Sequence, residues 1–101
     1  MEFKELQDKI VANAINYWEK FNLEIDEDFA LLKLYEEVWE YAQAVLIHRR
    51  KSRPEKFLSL EKSKEELWKE LADVVGMAMV NAHLFWIDLE EAFKKKWLNN
   101  K

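Results

Sequence analysis

Apolar residues recur along this chain at helical rather than strand spacing. In residues 3–21, Phe3, Leu6, Ile10, Ala14, Tyr17 and Phe21 fall three or four apart, with Trp18 just off the stripe, which predicts an amphipathic first helix. Residues 22–26 form the connection, and Asp26 or Asp28 is suited to cap the next helix. Over residues 27–50, Leu31, Leu34, Tyr35, Val38, Ala42, Val45 and Leu46 make one broad apolar face. Lys33, Glu36, Glu37 and Glu40 gather on the other, within roughly 100° of arc. Residues 49–62, RRKSRPEKFLSLEK, are basic and interrupted by Pro54, which predicts a loop with a short turn around residues 57–60. Ser63-Lys64-Glu65-Glu66 has the spacing of a capping box and predicts the start of a third helix at Ser63. Residues 66–87, ELWKELADVVGMAMVNAHLFWI, are apolar on almost every side from Leu71 onward, the pattern of an enclosed helix. Glu66, Lys69, Glu70, Asp73, Asn81 and His83 interrupt the run, so enclosure in protein is expected and not a membrane span. Asp88-Leu89-Glu90-Glu91 repeats the capping device and opens a fourth helix, on which Leu89, Ala92, Phe93, Lys96 and Asn100 share a face.

A single Gly and a single Pro among 101 residues suit long helices with short connections and argue against a sandwich or barrel. The expected fold is all-α: one domain over residues 1–101, four helices, the long third one central. A domain of this size cannot itself enclose a helix that is apolar all round, so a homodimer or a dimer of dimers is expected. The absence of cysteine rules out a disulfide framework and thiolate metal sites and is compatible with an intracellular, cytoplasmic setting. MEFKELQDKI is amphipathic and charged, unlike a signal peptide. The formal charge of -4 argues against a nucleic-acid polymer as partner. A small anionic ligand stays compatible with it, provided a cation stands between ligand and carboxylates.

Candidate chemistry concentrates on two helices. Glu37 and Glu40 are one turn apart on the second, Glu70 and Asp73 on the third. Antiparallel packing would bring four carboxylates to one point, with Asp73 expected inside the enclosed helix, where a carboxylate needs a partner or a metal. All-oxygen ligands suit hard cations, Mg²⁺ or Mn²⁺, that also bind substrate phosphates. The chain has no Glu-x-x-His pair for a di-iron site, no defensible Ser-His-Asp or Cys-His arrangement and no Gly-rich phosphate loop. His48 and His83 lie at unrelated places. The competing reading of Glu36, Glu37 and Glu40 is a solvated acidic face. Arg49, Arg50, Lys51 and Arg53 either decorate a helix C-terminus or form a phosphate-contacting loop.

Glu36-Glu37-x-x-Glu40 followed by Glu70-x-x-Asp73 resembles the signature of the MazG-like all-α nucleoside triphosphate pyrophosphohydrolases. Lys33-Leu34-x-Glu36-Glu37-Val38, Glu70-Leu-Ala-Asp73-Val, Asn81, Ile87-Asp88-Leu89-Glu90-Glu91-Ala92, Lys96 and Asn100 are similar to the family's pattern, so the likeness covers most of the chain. Trp39, where relatives often have a small residue, and a long gap between Glu40 and Glu70 depart from it. The resemblance implies hydrolysis of a nucleoside triphosphate between its α and β phosphates, releasing a monophosphate and pyrophosphate. It implies that Glu37, Glu40, Glu70 and Asp73 hold Mg²⁺ and that Glu36 orients water. By the same resemblance Lys33, Lys96 and Asn100 contact phosphates, and Asn81 bonds the sugar or orients a ligand. Trp18 is one aromatic on which a base could stack. The alternatives are a non-catalytic helical oligomer that binds a nucleotide or a partner protein, and a helical module whose acidic face is only solvated.

Overall fold

Three helices begin where a side-chain oxygen accepts an otherwise unpartnered backbone N–H, while the first, opening at Phe3, has no side-chain cap. Asp26 Oδ1 accepts from Phe29 N at 2.8 Å, Ser59 Oγ from Lys62 N at 3.2 Å, and Asp88 Oδ1 from Glu91 N at 3.0 Å. In the computed structural model, which describes residues 1–98, these caps open α2 (Glu27–His48), α3 (Leu60–Leu84) and α4 (Leu89–Phe93). The first helix, α1, spans Phe3–Glu19, a 3₁₀ turn occupies Pro54–Lys56, and a π-helical turn, Lys94–Leu98, continues α4. No strand occurs among the described residues. Helix α3 starts one turn earlier than the Ser63 capping box predicts. Ser59 provides the same cap chemistry, and Ser63, drawn into the helix, becomes one of the most buried side chains.

The first three helices close with the same device. Leu23 N bonds Trp18 O, Lys51 N bonds Leu46 O, and Ile87 N bonds Ala82 O, each skipping five residues. The residue that makes each turn has a positive φ, and it is Asn22, Arg50 or Trp86 in turn. The only glycine, Gly76, lies inside α3 and serves none of these turns.

Helices α2 and α3 form an antiparallel hairpin, the largest helix–helix contact in the chain. Three links fix its direction: Asn81 reaches Ala30 O, Glu37 stands beside Glu70 and Asp73, and His48 bonds Ser63. Helix α1 lies across α3, with Ile10 against Gly76 and the Trp18 ring edge-on to Phe29, centroids 5.3 Å apart. The core gathers at this end, where Val11, Ala30, Met77, Met79 and Val80 are buried and Phe3, Ile10, Ala14 and Leu34 pack around them. The other half of the hairpin extends past α1, with only Ala44 and Ser63 buried.

Two apolar patterns differ from expectation. On α1 the buried positions are Gln7 and Val11; of the expected stripe Phe3, Ile10 and Ala14 pack at the edge of the core, while Leu6 and Tyr17, with Phe21 just past the helix end, are exposed. Trp18, not Phe21, docks on α2, so the contact seam turns by one residue. Helix α3 is not enclosed by its own chain: Trp68, Leu71 and Val75 are open to solvent, as are Leu31, Tyr35, Val38, Trp39 and Leu46 of α2. These α2 residues occupy a sector separate from both the α3 contact and the acidic edge. No single helix among the described residues is long and apolar enough to cross a membrane.

Candidate metal centre

The acidic residues converge because the hairpin is antiparallel and each pair is one turn apart. Ligand oxygens of Glu37, Glu70 and Asp73 lie within 4.8 Å of one another, as do those of Glu36, Glu37 and Glu40. Glu37 belongs to both groups and is the hinge of the cluster. Its Oε2 and that of Glu70 are buried without a hydrogen-bond partner. A buried acceptor left empty carries its desolvation cost uncompensated. Burial is the largest cause that lifts the Glu37 carboxyl from 4.5 to about 7, followed by the charges of Glu40 and Asp73 and by a contact with the Glu40 carboxyl that is a hydrogen bond only while one of the two is protonated. Glu70 is raised for the same reasons in the same order, burial first, then Glu40 and Asp73. Asp73 itself is exposed, contrary to the expectation of a buried aspartate. The reason is that α3 is uncovered on this side; the buried atoms belong to the two glutamates that face the interhelical seam.

The donor set fits a divalent cation: oxygen ligands only, two of them orphaned, and mutual repulsion that a central positive charge would relieve. The other expected residues are placed as follows. Lys33 pairs with Glu36 and lies 4.7 Å from the centre of the Trp18 ring, over one face. A base stacking on that face would have to displace it. Asn81 donates both amide hydrogens to backbone, to Met77 O at 2.8 Å and Ala30 O at 3.0 Å, and so staples α3 to the start of α2. Only its side-chain oxygen is left for any ligand. Lys96 sits in the π-helical turn, exposed, and lines neither cavity beside the carboxylates. Asn100 lies outside the described residues.

Two cavities flank the cluster. One, of about 530 Å³, is lined by Asn13, Tyr17, Trp18 and Lys33 and reaches Glu37 and Asp73. The other, of about 390 Å³, lies under the basic connection and is lined by Gln43, Ile47, Lys56 and Ser63 and reaches Glu40 and Glu70. Ser63 Oγ donates to Leu60 O at 3.1 Å, so at 2.7 Å it accepts from His48 Nδ1–H, fixing the imidazole tautomer. Asn13, Gln43 and Lys56 carry no sequence motif. Lys56 sits in a loop, where helical spacing gives no guide to direction, and Ser63 reads as a cap. Comparison with family models, curated proteins and solved structures returned no match.

Proposed function

We propose that the chain is a Mg²⁺-dependent nucleoside triphosphate pyrophosphohydrolase of the MazG-like kind, acting in the cytoplasm on the nucleotide pool. The observation that carries the reading is the pair of buried, unpartnered oxygens on Glu37 and Glu70 within a convergence of acidic side chains from two helices. A solvated acidic face has no reason to bury and orphan its carboxylates.

Glu37, Glu40, Glu70 and Asp73 would hold Mg²⁺ (or Mn²⁺ in its place), which when bound would neutralise phosphate charge and lower the pKa of the attacking water. Glu36, exposed beside Glu37, orients that water toward the α-phosphorus. Lys33 exchanges its Glu36 and Trp18 contacts for an oxygen of the α-phosphate, the phosphate that stays with the nucleoside. The water oxygen bonds the α-phosphorus as the bond to the bridging oxygen breaks. The electron pair leaves with pyrophosphate, and the water's proton passes to a carboxylate and on to solvent. Catalysis of this kind is positioning and charge stabilisation, which a rigid helical hairpin provides.

The functional unit we propose is a homodimer, or a pair of dimers. The accessible surface is 8065 Å², whereas a compact monomer of this mass exposes about 6,100 Å². Over two chains the excess comes to about 3,900 Å², within the roughly 2,000–5,000 Å² in total that an obligate homodimer interface buries. The exposed Tyr35, Val38 and Trp39 of α2 with Trp68, Leu71 and Val75 of α3 are the residues it would cover. A non-catalytic helical oligomer that binds a nucleotide or a partner protein shares this surface and differs in releasing no pyrophosphate. Phosphorus NMR of a reaction with a triphosphate separates the readings. Monophosphate and pyrophosphate are expected; diphosphate with orthophosphate would overturn the bond assignment.

A further inference from the structure

We propose that Lys56 and the cavity it lines receive the β and γ phosphates of the substrate, so that pyrophosphate leaves on the side of the basic connection. The nucleoside then lies on the α1 side. This assignment rests on the pyrophosphohydrolase reading and gives the substrate a direction across the site.

The carboxylates divide the space. Glu37 and Asp73 face the cavity beside α1, and Glu40 and Glu70 face the cavity under the 49–59 connection. A triphosphate cut between its α and β phosphates must place its reacting bond over the carboxylates, with one product on each side. The α1 cavity is the larger and offers two aromatic rings and the Asn13 amide, which match a nucleoside in size and chemistry. Its cation, Lys33, is already engaged by Glu36 and by the Trp18 ring. The opposite cavity is smaller, and its cation is uncommitted. Among the described residues the Lys56 ammonium makes no ion pair or hydrogen bond, although Glu40, Glu66 and Glu70 line the same space.

Lys56 is also presented by a built turn. It closes the 3₁₀ turn, with Lys56 N bonded to Arg53 O at 2.9 Å and Phe57 N to Pro54 O at 3.0 Å. The Arg50 guanidinium lies over the neighbouring Phe57 ring at 4.9 Å, tying the turn to the end of α2. Ala44, Ile47 and Leu58 supply an apolar side to this open cavity, at whose mouth the exposed Lys56 is free to meet a charged ligand oxygen. An ammonium held in such a place suits a terminal phosphate better than it suits a base edge.

The test uses Lys56→Ala and Lys56→Arg, with inorganic pyrophosphate and a nucleoside monophosphate as separate inhibitors of the Mg²⁺-supported reaction. Loss of one charge-assisted contact should weaken pyrophosphate inhibition and raise KM about tenfold in Lys56→Ala. Monophosphate inhibition should stay unchanged, and Lys56→Arg should recover most of the effect. Weakened monophosphate inhibition would overturn the proposal by placing the nucleoside under the basic connection. No change in either would make Lys56 a surface charge and overturn it as well. Calorimetric binding of pyrophosphate with Mg²⁺ needs no turnover. A wild-type protein that binds it through Lys56 but releases none from triphosphates would contradict the pyrophosphohydrolase reading while upholding the site.

Discussion

Glu37 occupies the point where burial and three acidic neighbours act together, and its carboxyl is pushed up to about 7. A folded-state value above the unfolded one favours the protonated native state. Its contribution to stability is therefore fully present below 4.5 and lost as pH rises toward about 7. Glu70 acts in the same direction. In EDTA the melting temperature should fall between pH 5 and pH 8, and Mg²⁺ should abolish the fall, adding about 2.7 kcal/mol at a hundredfold excess over Kd. A metal-free melting curve insensitive to pH would contradict the assigned cluster. Glu37→Gln should melt higher than the wild type in EDTA at pH 8, because it removes a buried, repelled charge. Asp73→Asn, whose side chain is exposed, should lose about a thousandfold in turnover with little effect on metal-free stability. Glu36→Gln should lose about 10- to 100-fold. The acidic pairs were legible in the sequence because one-turn spacing on a helix dictates a shared face. The depth of each carboxylate was not, since it depends on where the neighbouring helix stops covering it. Asn81 shows the same limit: its position was visible, but its capture by two backbone carbonyls depends on how α2 approaches.

Helix termini give predictions of a different kind. Trp86 adopts φ 58° with its side chain 93 % exposed, an unfavourable conformation for a bulky residue with little burial in the chain to offset it. Trp86→Gly should raise stability by about 0.5–1 kcal/mol, a melting shift of a few degrees. Destabilisation instead would mean that Trp86 is covered in the assembled protein. Ser63→Ala should cost about 1–3 kcal/mol by leaving the His48 Nδ1–H without its partner at the open end of the hairpin. The α4 start was readable from Asp88, and the α2 start was narrowed to Asp26 or Asp28, of which Asp26 takes the cap. The α3 start was not, because Ser59 and Ser63 have the same chemistry and tertiary packing chose between them. In α4 the π-helical turn breaks the angular spacing from which Lys96 was placed with Leu89 and Phe93.

At the scale of the whole molecule, the radius of gyration is 16.0 Å, against about 13 Å for a compact domain of this length. The chain is open because α1 covers only one end of the hairpin. Sedimentation should give at least twice the 12.3 kDa chain mass, and Trp68→Glu should lower it by placing a charge in the α2–α3 apolar sector. A monomer at high protein concentration would contradict the dimer. The all-α class and the central third helix were legible from composition and period. The excess apolar character of α3 was legible too, but not which sector of it the chain would leave uncovered. The claim that joins these scales is that the carboxylate cluster cleaves triphosphates, and its most direct test is pyrophosphate release. All eight common ribo- and deoxyribonucleoside triphosphates would be assayed, each with Mg²⁺ and with EDTA. Pyrophosphate from at least one of them, abolished by EDTA and by Asp73→Asn, is the predicted result. Silence on all eight, with no effect of Mg²⁺ on the melting temperature, would contradict the account.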